Sequence, residues 1–143
     1  MIREIQLKDI EQWKKLYKGY ADFYKVEMNN KILQTVWNWL HDKNHEVDGL
    51  VYEVDNIIVG FAHYRRMPNP LRGQDIGFLD DLFVYPKHRG QKIGEKLINK
   101  LKEISKFKGW NLVRWLTHDE NVRAKSLYDR VSEKTNWDVY ELK

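Results

Sequence analysis

A short basic turn, PKHRGQKIG, lies between a predicted strand and a predicted helix at residues 86–94. The first amides of a helix lack acceptors within the helix, and the helix dipole places partial positive charge at the same end. Gly90 and Gly94 allow the backbone to approach a ligand without an intervening side chain. Further positive charge comes from Lys87, His88, Arg89 and Lys92. The turn therefore predicts an anion site suited to a phosphate or a diphosphate.

Two adjacent carboxylates, Asp80 and Asp81, stand directly before the apolar run at 82–84. A carboxylate can remove the proton from an amine that must become a nucleophile. Because neighbouring strand residues face opposite sides of a sheet, we expect only one of the two acids to reach a cleft there. His118, Glu120 and a chain of water molecules are alternative bases.

Tyr128 is a candidate general acid on the last predicted helix. A phenol has an ordinary pKa of about 10, so it stays protonated at neutral pH and can supply a proton to a leaving group. The competing interpretation is an aromatic side chain that only packs the helix against the sheet.

The composition limits the function classes. The chain has 143 residues, which suits a single domain over 1–143, and 42% of them are hydrophobic. No apolar run approaches the roughly 18 residues that span a bilayer, and no export signal is recognisable, so we expect a cytoplasmic protein. The absence of cysteine excludes a disulfide or a cysteinyl intermediate. The net charge of +4 mildly favours anionic partners.

Hydrophobic periodicity predicts the elements that position these residues. Helices are expected over 9–24, 30–41, 92–108 and 121–131, and strands over 2–7, 50–54, 57–66, 76–85, 110–117 and 137–142. Asp55 and Asn56 suit a tight hairpin turn, and the segment from Met67 to Gln74, with two prolines and a glycine, is expected to be a loop. The order β-α-α-β-β-β-α-β-α-β predicts one α/β (α+β) domain, in which about four helices flank a mixed, mostly antiparallel sheet.

The turn resembles the motif Q/R-x-x-G-x-G/A of the GCN5-related N-acetyltransferases, which move an acetyl group from acetyl-CoA to a primary amine. Arg89 and Gly94 match this motif, whereas Lys92 stands where the middle glycine is usual. The resemblance implies the same fold for this chain, with acetyl-CoA as cosubstrate and no metal. It also implies a cofactor-binding set formed by Leu82, Phe83, Val84, Arg89, Gly90, Gln91, Lys92, Ile93, Gly94, Asn121, Ala124 and Tyr128.

A second motif of the same family, N-x-x-A-x-x-L/F-Y, is matched by Asn121, Ala124, Leu127 and Tyr128. By resemblance, Asn121 binds near the pantetheine arm and Tyr128 protonates the departing CoA thiolate. In the branch that acetylates polyamines a carboxylate precedes Asp-Leu, so Asp80 is the preferred base. The resemblance implies direct attack of the amine in a ternary complex.

The acceptor pocket is expected between the first two helices and the sheet. Its predicted walls are the loop 67–74 and the side chains of Tyr17, Tyr20, Phe23, Asp80 and Trp37, with Trp39 as the alternative to Trp37. The C-terminal sequence resembles the branch that holds the yeast histone and D-amino-acid acetyltransferases. A free amino acid, a polyamine and a lysine side chain all remain open as acceptors, and a homodimer is expected.

Two other functions compete with catalysis. A sequence pI of about 9.1 and six tryptophans are compatible with a nucleic-acid-binding module, but the basic residues alternate with acids and match no nucleic-acid motif. A non-catalytic acyl-CoA-binding protein of the same fold is the other alternative, and Lys92 is its only support in the sequence.

Overall fold

The fold contains five strands and four α-helices, and the computed structural model describes all residues, 1–143. In chain order these elements are β1 (Ile2–Glu4), α1 (Ile10–Tyr24), α2 (Asn30–His41), β2 (Val47–Val54), β3 (Ile57–Asn69), β4 (Gln74–Val84), α3 (Ile93–Lys108), β5 (Val113–Trp115) and α4 (Val122–Val131). None of the helices is long and apolar enough to cross a bilayer.

The strands form one mixed sheet in the order β1-β2-β3-β4-β5. The first three pairings are antiparallel, and β4 pairs with β5 in parallel. The predicted fold class is therefore confirmed. The parallel pairing joins Gly77–Leu79 to Val113–Trp115 and ends there. The Trp110 ring covers Gly77 so closely that a Cβ at this position would lie 2.7 Å from the ring.

Helices cover both faces of the sheet. Leu97 and Leu101 of α3 pack with Val59 and Tyr64 on one face. On the other face Leu16 of α1 packs with Val51 and Phe61, and a neighbouring cluster joins α1 to α2 through Trp13, Leu33 and Trp37. These apolar positions recur at helical spacing in the helices and alternate along the strands, so the core follows from the hydrophobic pattern.

A β-bulge in β4 places Asp80 and Asp81 differently from the prediction. Asp81 pairs with His63, whereas the next residue of β3, Tyr64, pairs with Leu79, so Asp80 is an extra residue without a partner. A bulge re-aims the side chains of its strand. As a result Asp80 and Asp81 line the same cavity, and the prediction that only one of them reaches a cleft is wrong.

The hairpin between β3 and β4 is longer than predicted. Residues 67–69 and 74–75 belong to the strands, with Asn69 paired to Gln74, so only 70–73 form the loop. The prolines mislead here because Pro68 lies near the strand end, where the ladder tolerates a missing N–H. The turn at Asp55 and Asn56 is confirmed, since both residues have positive φ.

The predicted final strand is absent. Residues 137–142 have no regular secondary structure, and Trp137, Tyr140 and Leu142 are exposed. The predicted strand over 110–117 is shorter, at Val113–Trp115. Alternating apolar residues favour a strand only where another strand is available to accept its backbone hydrogen bonds.

Candidate active site

A cavity of about 270 Å³, here called the first cavity, lies among the end of β4, the start of α3, and α4. Most of the residues predicted to bind the cofactor line it, namely Leu82, Phe83, Val84, Arg89, Gly90, Lys92, Ile93, Gly94, Asn121, Ala124 and Tyr128. Gln91 is the exception, because its side chain lies on the exposed side of the turn.

The backbone amides of residues 90–95 donate to no acceptor within the protein. The first hydrogen bond of α3 runs from Lys96 N to the Lys92 carbonyl oxygen. Lys92 itself has φ 60° and ψ 25°, which is the left-handed conformation that glycine adopts most easily. The lysine therefore keeps the backbone shape of the glycine motif, and the unpaired amides fit a diphosphate.

The side chain of Arg89 connects the turn to neighbouring elements. Its Nε donates to the carbonyl oxygen of Val84 at 3.2 Å, and its guanidinium stacks on Phe23 with 4.9 Å to the ring centroid. Burial lowers the pKa of Arg89. The side chain thus ties the turn to β4 and α1 and keeps a positive charge beside the first cavity.

Tyr128 is partly buried on α4, and its ring meets the edge of Trp115 at 5.4 Å. Burial raises the pKa of Tyr128 to about 12, with a smaller contribution from Tyr24. The phenol is therefore protonated throughout the neutral range.

Asn121 is the N-cap of α4, because its Oδ1 accepts from Ala124 N at 3.3 Å. Its Nδ2 donates to the Tyr24 hydroxyl oxygen at 3.0 Å, which joins α4 to α1 across the first cavity. Tyr24 is not recognisable from the sequence as a site residue, since an aromatic residue at helical spacing carries no sign that it borders a cavity.

A second cavity, of about 450 Å³, lies on the α1 and α2 face of the sheet. Its lining consists of Tyr17, Val36, Trp39, His45, Val47, His63, Arg65, Asp80 and Asp81. Of the predicted acceptor residues, Tyr17 and Asp80 line this second cavity. Phe23 lines the first cavity, Tyr20 lines neither, and Trp37 is buried in the core, whereas its alternative Trp39 does line the second cavity.

Asp81 is held as an anion by side chains of α1 and β3. Its Oδ2 accepts from the Tyr17 hydroxyl at 3.0 Å and from His63 Nδ1 at 2.8 Å. An indole N–H can only donate, and Trp13 Nε1 donates to His63 Nε2 at 3.0 Å, so the His63 proton lies on Nδ1. Burial alone would raise the pKa of Asp81, but the hydrogen bonds that it accepts lower it below the usual value.

Asp80 differs from Asp81 in its hydrogen-bond partner and in the direction of its pKa shift. Its two carboxylate oxygens accept from Arg65 Nε at 3.0 and 3.2 Å, and its side chain remains 31% exposed. Burial raises the pKa of Asp80, and Arg65 offsets only part of that effect. Asp80 is therefore the better proton acceptor of the two, while the alternatives His118 and Glu120 are exposed and line neither cavity.

Comparison with known proteins identifies the family. The family model of the acetyltransferase (GNAT) family matches residues 10–132, so the chain belongs to this family. The predicted family and enzyme class are thereby confirmed.

Similar proteins agree with this assignment. The chain is 29% identical over 143 residues to D-amino-acid N-acetyltransferase HPA3 of Saccharomyces cerevisiae, covering 99% of the chain and 89% of that protein. It is 38% identical over 71 residues to thialysine N-epsilon-acetyltransferase of Bos taurus, covering 50% of the chain and 41% of that protein. A ribosomal-protein-alanine N-acetyltransferase from Brucella melitensis biovar Abortus 2308 has the same fold, with a TM-score of 0.84, 22% identity, and coverage of 100% and 97%.

Proposed function

We propose that the protein transfers the acetyl group of acetyl-CoA to the primary amine of a small molecule by direct attack in a ternary complex. The observation that carries the proposal is the row of unpaired amides at residues 90–95 beside the first cavity. The acetyltransferase family and the similarity to amine acetyltransferases support it.

In this proposal the first cavity binds the donor. The amides of the turn and the start of α3 hold the diphosphate, and Arg89 adds positive charge beside them. The backbone of residues 82–84 lies along the pantetheine arm and the thioester carbonyl. Asn121 and Tyr24 form the opposite wall through their mutual hydrogen bond.

The second cavity binds the acceptor. Asp80 takes a proton from the ammonium group, and the free amine attacks the thioester carbon. A C–N bond forms and the C–S bond breaks. Tyr128 supplies its proton to the departing sulfur. The nitrogen loses its second proton as the C–S bond breaks, and this proton returns through water to the Tyr128 phenolate, while Asp80 releases the first proton to solvent. Asp81 stays ionised throughout, because its hydrogen bonds from Tyr17 and His63 stabilise the carboxylate.

Titration calorimetry tests the donor half of this proposal. We expect one-to-one binding of acetyl-CoA and weaker binding of CoA that lacks the 3′-phosphate. A short single-stranded oligonucleotide serves as the comparison ligand. Oligonucleotide binding without acetyl-CoA binding would contradict the proposal.

Release of free thiol during incubation with a panel of primary amines tests catalysis. We expect thiol release only when an amine is present. Tight acetyl-CoA binding without amine-dependent release from any member of the panel would favour the non-catalytic alternative.

A further inference from the structure

We propose that the acceptor carries a carboxylate next to its primary amine, and that Arg65 and Asp80 in the second cavity bind these two groups. The inference rests on the proposed function and narrows the acceptor to free amino acids, as distinct from polyamines.

The second cavity adjoins the place where the acetyl group is expected. Asp81 lines the second cavity, and the residues that follow it directly, 82–84, line the first. Helix α1 spans the same distance, with Tyr17 at the second cavity and Tyr24 at the first. An amine bound at the two acids therefore lies one strand residue from the segment that borders the donor.

The charges of the second cavity favour a cationic group on the ligand. Asp80 and Asp81 carry two negative charges, and Arg65 supplies one positive charge. The donors to Asp81 include the hydroxyl of Tyr17 and the imidazole of His63, and neither adds a formal charge in the tautomer described above. An ammonium group supplies the missing positive charge.

Arg65 offers an unused binding surface for a carboxylate. Only its Nε is bonded, to Asp80, and neither terminal nitrogen donates within the protein. Its guanidinium carbon lies over the Phe78 ring, 4.7 Å from the ring centroid, which helps to hold the side chain in place. A planar guanidinium with free terminal N–H groups matches the geometry of a carboxylate.

The adjacent Arg66 shows that free terminal nitrogens are not a general property of the arginines on this strand. Arg66 uses Nε and Nη2 on Glu46 and Nη1 on Asp75, so its nitrogens are occupied by acids of the protein itself. Arg66 lines neither cavity. Of the two neighbouring arginines, the one in the cavity is the one with free terminal nitrogens.

An amine without a carboxylate leaves the two terminal nitrogens of Arg65 with no partner in the complex. A charge-assisted hydrogen bond contributes enough that the matched amino acid is expected to react about 30-fold better. A diamine also brings a second positive charge close to Arg65, which disfavours it further.

Matched substrate pairs test the inference on the unmodified protein. The kcat/KM is measured for lysine against cadaverine, alanine against ethylamine, and phenylalanine against phenethylamine, with both enantiomers of each amino acid. We expect the better enantiomer to exceed its decarboxylated partner about 30-fold in each pair that reacts. Equal or faster reaction of the decarboxylated amines would overturn the inference and leave the proposed function intact. No reaction of any amine would overturn both.

Arg65→Gln and Arg66→Gln form the matched pair of variants. The preference for the amino acid over its decarboxylated partner is expected to fall close to one in Arg65→Gln and to persist in Arg66→Gln. Retention of the full preference in Arg65→Gln would contradict a contact with the substrate carboxylate. Since the readout is a ratio of two substrates, a general loss of activity in either variant does not alter the conclusion.

Discussion

The two cavities differ in how the chain builds them. The first is made mostly from two continuous stretches, residues 82–95 and 121–130. The second takes side chains from α1, α2, β2, β3, β4 and the segment between α2 and β2. Backbone amides at a helix start can be predicted from a local motif, whereas a cavity assembled from five elements depends on register and on a bulge. The first cavity can therefore be predicted from the sequence, whereas the second cavity can be recognised only in the three-dimensional structure.

The largest expected effect concerns the first cavity. Tyr128→Phe removes the proposed general acid, and we expect kcat to fall about 100-fold or more. Calorimetric affinity for acetyl-CoA should change less than twofold, because the ring still packs on Trp115. Tyr85→Phe is the control, since its buried hydroxyl has no partner and lines neither cavity. Near-normal turnover of Tyr128→Phe would remove the general acid from the mechanism.

Asp81→Asn tests whether the second cavity depends on a buried anion. We expect the free energy of unfolding at pH 7 to fall by about 2 kcal/mol, because an amide cannot accept all the hydrogen bonds that the carboxylate accepts. The pKa of Asp81 is lower in the folded state, so its stabilisation is present above about pH 4 and is lost as the pH falls further. Urea unfolding across this range should show the two proteins converge in acid.

The exposed Asp22 on α1 provides the control for that experiment. Asp22→Asn should change the free energy of unfolding by less than about 0.5 kcal/mol. A constant difference between Asp81→Asn and the parent protein from pH 7 to pH 3 would show that the lost stability is not electrostatic.

Asp80→Asn separates the roles of the two neighbouring acids. We expect kcat/KM to fall about tenfold or more, with little change in stability because the Asp80 side chain is partly exposed. Burial raises the pKa of Asp80, so in the parent protein activity should decrease as the pH falls toward that raised pKa. That acidic limb should be absent in Asp80→Asn, and a persistent limb would move the base to Asp81 or to water.

Lys92→Gly has the smallest expected effect and concerns the strained turn of the first cavity. A non-glycine residue in the left-handed region costs roughly 1–2 kcal/mol, and the greater freedom of glycine when unfolded cancels part of the gain. We therefore expect thermal or urea unfolding to show an increase of about 0.5 kcal/mol.

Lys25→Gly is the matched control, because Lys25 has φ 55° at the end of α1 and lines neither cavity. Both variants should gain similar stability, while only Lys92→Gly should alter acetyl-CoA affinity. Equal affinity in both variants would mean that the Lys92 side chain takes no part in binding.

Most of the fold was predictable from the sequence, since the four helices, the Asp55–Asn56 turn and the order of the central strands follow from hydrophobic period and turn chemistry. The structure departs from the prediction where the pairing of strands determines the secondary structure. Pro68 lies within β3, and residues 137–142 pair with no strand. In the candidate site, the face of Asp80 and the unused nitrogens of Arg65 depend on a one-residue bulge, which no local pattern of the sequence reveals.

The Trp110 ring over Gly77 makes the parallel pairing of β4 and β5 sensitive to a single position. This pairing covers only Gly77–Leu79 and Val113–Trp115, and a Cβ at position 77 would lie 2.7 Å from the indole and 3.2 Å from Val113. A larger side chain therefore fits only if Trp110 or β5 moves. The attachment of β5, and of helix α4 that follows it with Tyr128, thus depends on a glycine that lines neither cavity.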